Sequence, residues 1–404
     1  MNTRGFWKGH TETLCACELN PEESIVCEED YMKYLCYYDI DDRQNRKYIL
    51  SAKNKLDYIF SAINSITDEK LEIISMSETK GKKRQPGRIE IILPNATLIL
   101  FSSFGKGNIL TKILDYVFLP IKTFLYLLIH TKKDENVIVY HSLSFCTIIS
   151  IAKKIKHFRL ILELEEIYSD VSGDEKQRKK ELKFSDLADG YIFPTFLMDE
   201  KLNSKKKPSV IVHGTYHSEK KVSSALDDDK IHIIYAGTLD PRKGGALAAA
   251  GAAKYLSSNY HLHILGFGTE DQIQEINQIA ISNNSNPENA RLTYDGLLSG
   301  DEYIRFIQSC DIGLSTQNPK GAFNNTSFPS KILSYMGNGL RVVSAEIDVV
   351  VKSDIGDLVY YYQNQTPQEI ANAIMSIDLN KEYDSRERLK QLDRKFIEQM
   401  KNMV

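Results

Sequence analysis

The first half of the chain alternates short apolar runs with longer segments whose apolar residues recur three and four positions apart. The segment "NRKYILSAKNKLDYIFSAINSI" has this helical period, whereas the short apolar runs predict buried strands. The predicted strands are "KYLCYYDI", "KLEIISMS", "ATLILFSS", "NVIVYHS", "FRLILELEE", "GYIFPT" and "PSVIVHG". Strands that alternate with helices predict a parallel sheet covered by helices on both faces.

A second series of the same kind follows the polar linker "SEKKVSSALDDDK". Its predicted strands are "IHIIYAG", "HLHILGFG", "RLTYDGL" and "DIGLSTQ", and helical segments separate them. Together the two series predict an α/β fold with two facing, doubly wound domains, whose cleft collects the strand ends where ligands bind. We place an N-terminal extension at residues 1–30, the first domain at 31–222, the second at 230–376 and a final helix at 377–404.

The longest apolar run is "VFLPIKTFLYLLI", residues 117–129, and Pro120 and Lys122 interrupt it. It is shorter than the roughly 20 residues that a membrane-spanning helix needs. We interpret it as a buried helix of the first domain; the alternative is a helix that lies on a membrane surface. Flanking lysines and the segments "KKIKHFR" and "KQRKKELK" would attract anionic lipid if they share one side of the domain.

Composition limits the class of protein. The 404 residues, with 42% hydrophobic and 26% charged side chains, indicate a globular chain of about two domains. The net charge of −3 argues against a dedicated nucleic-acid binder. The start of the sequence has no apolar run of the secretory type, so we expect a cytoplasmic protein with reduced cysteines. Cys15, Cys17, Cys27 and Cys36 lack the paired spacing of a zinc ribbon and are interpreted as free thiols.

Three predicted helix starts in the second half carry the features of an anion site. In "YAGTLDPRKGG", Lys243 and Gly244 precede a helix whose free amides favour a phosphate, and Arg242 is a second candidate cation. A surface lysine that closes a turn, and a solvent-exposed arginine, are the alternatives. Gly266 and Gly268 follow the next strand, although a lone G-x-G also makes ordinary tight turns.

The third helix start is "NNTSFPSKILSYMGNGLRVVS". Here Thr326 or Ser327 is predicted to cap the helix, Pro329 suits its first turn, and Lys331 faces the same cleft. Lysines and backbone amides at converging helix starts would hold a diphosphate. We expect no metal there, because these loops lack the carboxylate pairs that magnesium needs.

The order of these motifs resembles the donor half of the family-4 glycosyltransferases of GT-B architecture. It is similar in particular to bacterial capsule and exopolysaccharide enzymes with the pattern "PSK…YM-x-x-G-x-x-VV", over most of residues 231–375. The resemblance implies two Rossmann-like domains and a C-terminal helix that crosses back to the first domain. It also implies transfer of a sugar, with retention of configuration, from a nucleotide diphosphate sugar to a hydroxyl. We expect UDP as the nucleotide.

The resemblance assigns roles residue by residue. Lys243 matches the lysine on the donor pyrophosphate, and His141 matches a histidine that faces the donor sugar, unless it is only a hydrogen-bonded residue at a strand end. Thr238 stands where the family has a second cation, an arginine. Thr326 and Ser334 stand where the family has two glutamates, which lie by the donor sugar and the ribose. The predicted donor-binding residues are Thr238, Arg242, Gly244, Gly266, Gly268, Thr326, Ser327, Phe328, Ser330, Lys331 and Ser334.

The acceptor side is predicted from the first domain. Glu163 and Glu166 in "LELEEIYSD" are candidates for acceptor contact, and strand alternation places Glu163 and Glu165 on one face. The expected acceptor is a glycan or a polyprenyl-linked sugar, and the expected location is the cytoplasm or the inner membrane face. Two alternatives stay open: a non-catalytic subunit that stabilises an active partner, and an epimerase or phosphorylase on the same fold.

Overall fold

The structure, a computed structural model, describes residues 30–168, 174–222, 226, 228–240, 245–321, 324 and 326–404. The extension before Asp30 and the predicted phosphate residues Arg242, Lys243 and Gly244 lie outside the described residues. Residues Tyr31–Val404 form one compact unit. This unit contains both predicted sheets.

The first sheet has the strand order β3-β4-β2-β1-β5-β6-β7-β8. All of its neighbours pair in parallel except β3, which is antiparallel to β4. The strands are β1 (Tyr31–Cys36), β2 (Lys70–Ser75), β3 (Arg88–Leu93), β4 (Ala96–Leu100), β5 (Asn136–Tyr140), β6 (Arg159–Glu163), β7 (Gly190–Phe193) and β8 (Ser209–Ile211). Their near-continuous apolar sequences fit a sheet that is covered on both faces.

The second sheet is wholly parallel, with the order β11-β10-β9-β12-β13-β14. Its strands are β9 (Ile231–Thr238), β10 (Tyr260–Phe267), β11 (Arg291–Gly296), β12 (Ile312–Ser315), β13 (Arg341–Ala345) and β14 (Val359–Tyr362). Because the order reverses beside β9, a crevice opens at the carboxyl ends of β9 and β12.

The helices of the first domain are α1 (Leu50–Ile66), α2 (Ile109–His130), α3 (Leu143–Lys156), α4 (Glu175–Ser185) and α5 (Phe196–Leu202). Those that follow are α6 (Gly245–Ala252), α7 (Glu270–Asn284), α8 (Gly300–Gln308), α9 (Ser330–Asn338), α10 (Asp348–Val351), α11 (Pro367–Met375) and α12 (Ser385–Met403).

The helix of the "FPSK" motif, α9, ends as predicted but begins differently. Gly339 closes it in the left-handed region at φ 89°, where glycine carries no Cβ penalty. Pro329 holds the N-cap position, and no side chain caps the first turn. The predicted capping by Thr326 or Ser327 is therefore wrong, because both residues lie too far before Ser330 to reach its first amides. Among the described residues, no side chain caps the amide end of α9.

The C-terminal helix α12 joins the two domains, as the resemblance implies. At its start, Ser385 donates to the carbonyl of Met336 in α9 at 2.8 Å. Further along, the Phe396 ring stacks on Tyr58 of α1 with centroids 5.1 Å apart, and the Tyr58 hydroxyl donates to Asp393 at 2.7 Å. The predicted fold class, including the helix that crosses back, is confirmed.

Helix α2 contradicts the interpretation of residues 117–129 as a buried helix. Only one stripe of it is buried, namely Asp115, Leu119, Thr123 and Leu127, which recur every fourth residue. Leu114, Phe124, Tyr126 and Leu128 are half-buried. Nine further large apolar side chains are exposed: Ile109, Leu110, Ile113, Tyr116, Val117, Phe118, Ile121, Leu125 and Ile129. By length and composition it is also the one helix of the described residues that is apolar enough to cross a membrane.

The thiols that the structure describes are consistent with a reduced protein. Cys36, Cys146 and Cys310 are buried and unpaired. The free-thiol prediction is confirmed for Cys36, while Cys15, Cys17 and Cys27 lie outside the described residues.

Candidate functional site

A cavity of about 240 Å³ opens at the carboxyl ends of β9 and β12, against the first turn of α9. Parallel strands and an uncapped helix start converge there, which is the usual place for a phosphate-bearing ligand in such folds. The wall consists of Tyr235, Thr238, Gly245, Ser315, Thr316, Gln317, Asn324, Ser327, Phe328, Pro329, Ser330 and Lys331. Five of these are predicted donor-binding residues: Thr238, Ser327, Phe328, Ser330 and Lys331.

Lys331 supplies the positive charge among the described wall residues. Its Nζ lies 3.8 Å from the centre of the Tyr235 ring, a cation–π contact that holds the ammonium over β9. A Cβ at Gly237 would lie on the same ammonium and displace it, so glycine at this position leaves room for the lysine where it lies. The Tyr235 hydroxyl in turn donates to the Thr238 carbonyl at 3.0 Å. The lysine is thus positioned by the strand beneath it.

The loop after β12 forms the opposite wall and is tied down by hydrogen bonds. The Thr316 hydroxyl donates to the carbonyl of Gly245 at 2.6 Å, which joins this loop to the start of α6. The Tyr362 hydroxyl donates to the Gln317 carbonyl at 2.6 Å, and Gln365 donates to the Thr316 carbonyl at 2.7 Å. These bonds fix hydroxyl and amide side chains around the cavity.

The two predicted glycines Gly266 and Gly268 have structural roles and are not wall residues. A Cβ at Gly266 would overlap the carbonyl of Gly237, because β9 and β10 approach each other very closely there. A Cβ at Gly268 would lie 2.9 Å from the Cβ of Leu239, just before the Thr269 cap of α7. Close backbone packing explains both residues.

The residues in place of the family's glutamates are also not wall residues. Thr326 is buried, and its carbonyl accepts from the Thr195 hydroxyl of the first domain at 3.4 Å. Ser334 lies on α9, where its side chain hydrogen-bonds Tyr303 of α8. The backbone of Thr326 is therefore engaged in a hydrogen bond to the first domain, and the side chain of Ser334 is engaged in a hydrogen bond to α8.

The first domain reaches the cavity through His213. Its ring stacks on the wall residue Phe328, with centroids 4.4 Å apart and planes 20° from parallel. Burial lowers the pKa of His213 to about 4, so the ring is neutral at physiological pH. Its Nδ1 donates to the Pro194 carbonyl at 2.7 Å, which fixes the tautomer. This neutral ring supports the wall residue Phe328 from the first domain.

His141 lies elsewhere, at the carboxyl end of β5. It is buried, its Nε2 is 2.7 Å from Glu181 Oε1, and its ring stacks on Tyr168 with centroids 5.5 Å apart. Its Nδ1 has no hydrogen-bond partner among the described residues. The structure brings His141 together with Glu181 and Tyr168, and not with the described wall of the cavity.

Glu163 and Glu165 form an acidic pair at the end of β6, in which Glu163 is buried and Glu165 is half-buried. Glu163 is fully buried and accepts a hydrogen bond from Tyr34, and Glu165 pairs with Lys55 of α1. Burial and the neighbouring Glu165 raise the pKa of Glu163 to about 8. Glu165 lies close enough to Glu163 to contribute to this shift, in keeping with the predicted shared side of the two residues. Glu166 is half-buried.

The raised pKa of Glu163 predicts a pH dependence of stability. A carboxyl whose pKa is raised on folding contributes stability that is full below its ordinary pKa of 4.5 and is lost as the pH rises through about 8. We therefore compare the free energies of unfolding of Glu163→Gln and of the wild type at each pH. The difference should favour the variant more at pH 9 than at pH 5. The gain should be at least about 1.4 kcal/mol, the equivalent of one pKa unit. Urea unfolding at both pH values measures it. The exposed Glu382→Gln is the control, and an equal effect of both variants would contradict the assignment.

Sequence reasoning missed several wall residues, among them Tyr235, Ser315, Thr316, Gln317 and Asn324. The available signal was position, because "STQ" directly follows the apolar strand β12 and thus lies at a carboxyl strand end. Tyr235 gives no such signal, since an aromatic residue inside a strand is usually part of the core.

Comparison with known proteins finds similarity in three-dimensional structure but no match in sequence. No protein-family model matches the chain, and no curated protein matches it in sequence. Similar solved structures include a sucrose-phosphate synthase from Thermosynechococcus elongatus, at 13% identity and a TM-score of 0.61 over 93% of this chain and 98% of that chain.

Two further similar structures contain a bound uridine nucleotide. One is described as trehalose-6-phosphate from E. coli bound with UDP-2-fluoro glucose, at 13% identity and a TM-score of 0.64 over 93% of this chain and 98% of that chain. The other is HepE from Anabaena in complex with UDP, at 12% identity and a TM-score of 0.58 over 92% of this chain and 98% of that chain. At such identities the likeness establishes architecture: the chain has the GT-B fold of two Rossmann-like domains.

Proposed function

We propose that the chain is a glycosyltransferase whose donor is a nucleoside diphosphate sugar, with UDP as the nucleotide. The observation that carries the proposal is the cavity where Lys331 and the uncapped start of α9 meet the carboxyl ends of β9 and β12. Two proteins of similar fold are described as bound to UDP-2-fluoro glucose and to UDP. A diphosphate suits this cavity because an ammonium and helix amides both favour an anion.

The chemistry follows from where negative charge develops. As the bond between sugar and phosphate breaks, the leaving diphosphate gains charge, and Lys331 with the α9 amides stabilises it. Lys243 adds to this set by resemblance, and Arg242 and Gly244 add to it by their position at the predicted helix start. The described wall contains no carboxylate, so the proposed site neutralises the diphosphate by lysine and amides and not through a magnesium ion.

The acceptor enters from the first domain in this proposal. Of the two predicted acceptor-side residues, the half-buried Glu166 is the candidate for contact, because Glu163 is fully buried. The role of His141 at the donor sugar rests on the family resemblance alone, since His141 is not part of the described wall. The described wall has no general base, so a donor phosphate oxygen takes the proton of the acceptor hydroxyl in a transfer with retention of configuration. The acceptor is a glycan or a polyprenyl-linked sugar of cell-surface polysaccharide synthesis, such as a capsule.

A membrane-bound acceptor is supported by the exposed face of α2. Apolar side chains cover this face, and Lys112, Lys132 and Lys133 at the two ends of the helix are exposed. The exposed segment Lys82–Arg84 adjoins it, since Arg84 lies 5.8 Å from the Phe104 ring, which contacts Phe118. An apolar face with a basic rim suits the surface of an anionic bilayer. We propose a peripheral position on the inner membrane face.

Vesicle flotation tests this position. Wild-type protein is expected to float with vesicles that contain anionic lipid, and to float less as the salt concentration rises. Ile113→Glu should lower the partition about tenfold or more, because one apolar contact with lipid is replaced by a charge. Ile281→Glu, at an equally exposed position on α7, is the matched control. Equal flotation of both variants would show that α2 does not contact the membrane.

A second candidate function is a glycosyltransferase-like subunit without activity of its own. It is favoured by one observation: neither Thr326 nor Ser334, in place of the two family glutamates, belongs to the described wall of the cavity. Release of UDP from UDP-sugars by the purified chain, with and without added glycan acceptors, separates the two functions. Turnover that Lys331→Ala reduces supports the enzyme. UDP binding without turnover, under any acceptor tested, supports the subunit.

A further inference from the structure

Three histidines meet at the opposite end of the second sheet from the cavity. His232 is the second residue of β9, and the pairing of β9 with β10 sets His261 directly beside it. His263 lies on the same face of β10 as His261, two residues further on. All three side chains are buried, and one ring nitrogen of each lies within 4.8 Å of the others. At about 3.3 Å per residue, His232 is about 20 Å from Thr238 in the cavity wall.

The rings of His232 and His263 are oriented by carboxylates on their outer sides. His232 Nε2 is 2.7 Å from Asp228 Oδ1, and His263 Nδ1 is 3.1 Å from Asp295 Oδ2. The inner nitrogens, His232 Nδ1 and His263 Nε2, face each other at 3.0 Å. An outer carboxylate that fixes the tautomer of a histidine is the usual second partner of a metal-binding imidazole.

Counting protons shows that this row of groups is one positive charge short. The row Asp228, His232, His263 and Asp295 has three contacts in series, and each needs one proton. Two neutral imidazoles carry only two N–H groups. A third proton would supply this charge by making one ring an imidazolium. A metal cation between the inner nitrogens supplies it as well, since both rings then donate outward to carboxylates and turn their lone pairs inward.

We propose that His232, His261 and His263 bind one divalent transition-metal ion, of which Zn²⁺ is the representative. Imidazole nitrogens suit Zn²⁺, Cu²⁺ and Ni²⁺ rather than the oxygen-preferring Mg²⁺ and Ca²⁺. Zinc–nitrogen bonds of about 2.0–2.1 Å in a tetrahedral site separate ligand atoms by about 3.3 Å, close to the observed spacing of the inner nitrogens. The third ring is held by a contact of 3.1 Å between His261 Nε2 and the Thr293 hydroxyl.

The position of this site gives it a structural role. It joins the first residues of β9 and β10, and β9 ends at the cavity wall, so the ion fixes the strand that carries Tyr235 and Thr238. The partly exposed carboxylates Asp228 and Asp295 offer an entry path from solvent. The proposal stands independently of the proposed sugar transfer.

Zinc titration of the chelator-treated full chain tests the site. We expect one equivalent of Zn²⁺ to bind in competition with a chromophoric chelator. Asp295→Asn should weaken that binding about 10- to 100-fold, as expected for an outer partner of a metal ligand. Loss of a ligand in His263→Gln should weaken it further. Bound Co²⁺ should give the visible bands of a nitrogen-ligated site without the charge-transfer absorption of a thiolate.

The controls separate this site from other zinc ligands of the chain. His217→Gln removes an exposed histidine outside the cluster and should change nothing. The triple variant Cys15→Ser, Cys17→Ser, Cys27→Ser removes the thiols of the N-terminal extension and should keep the bound equivalent. If circular dichroism shows that His263→Gln does not fold, His261→Gln replaces it. Absence of zinc binding in the wild type, or its loss in the cysteine variant alone, would overturn the proposal.

Discussion

Phe396→Ala is expected to lower the free energy of unfolding by about 3–5 kcal/mol, the usual cost of truncating a buried phenylalanine. The ring is buried and stacks on Tyr58, so its removal leaves a cavity between α12 and the first domain. Each kcal/mol shifts the midpoint of a domain of 150–250 residues by about 2–4 °C, which predicts a fall of about 6–20 °C. Differential scanning calorimetry measures this change.

Two variants make the expectation specific. Phe396→Leu keeps most of the volume and should cost less than about 1.5 kcal/mol. Phe267→Ala removes an exposed ring of the second sheet and should stay within about 0.5 kcal/mol of wild type. A midpoint of Phe396→Ala equal to that of Phe267→Ala would show that α12 does not pack on the first domain as described.

Lys331→Ala is expected to weaken the binding of UDP about 10- to 150-fold. The change removes one charge-assisted hydrogen bond, worth about 1.5–3 kcal/mol, from the diphosphate. The affinity for uridine, which has no phosphate, should stay unchanged, so the ratio of the two affinities isolates the contribution of the diphosphate. Calorimetric titration gives both values.

The control for Lys331→Ala is Lys320→Ala, which removes an exposed lysine from the nearby loop before Asn324. It should bind UDP like the wild type. If Lys331→Ala lowers the affinities for UDP and uridine by the same factor, the lysine supports the shape of the cavity and does not contact the diphosphate.

The fold could be predicted from the sequence where apolar runs were long and bounded by polar turns. Most of the parallel strands are of this kind, because burial on both faces requires nearly continuous apolar sequence. The parallel edge strand β14 was not predicted. Strand β3 was missed: it is an antiparallel edge strand, and its Ile89 and Ile91 are exposed. Its polar and apolar residues alternate from Arg88 to Ile91, which is the pattern of a half-exposed strand, so the sequence did contain a signal for β3.

Helix α2 shows a different limit. The apolar content of a segment predicts that it is shielded from water. It does not predict whether other parts of the protein or lipid provide the shielding. The exposed fraction of Ile113 and Tyr116 depends on which neighbours the fold supplies, and the sequence of α2 does not contain that information.

The candidate site was predicted where local rules apply. The start of α9 followed from proline, lysine and glycine positions within one segment, and the wall residues Phe328, Ser330 and Lys331 came with it. Tyr235 and the histidine cluster depend on strand order. His232 and His261 lie far apart in sequence and meet only because β9 and β10 are neighbours in register.

Thermal unfolding against a panel of nucleoside diphosphates and their sugars tests the central claim, that the cavity beside Lys331 is the donor site. At about 100 times its dissociation constant, a ligand adds roughly 2.7 kcal/mol to the stability of the folded state. For domains of this size the midpoint should rise by about 5–11 °C. We expect UDP and UDP-sugars to produce this shift in the wild type and in Lys320→Ala, and a much smaller one at the same concentration in Lys331→Ala. No shift with any nucleotide, or an equal shift in Lys331→Ala, would contradict the account.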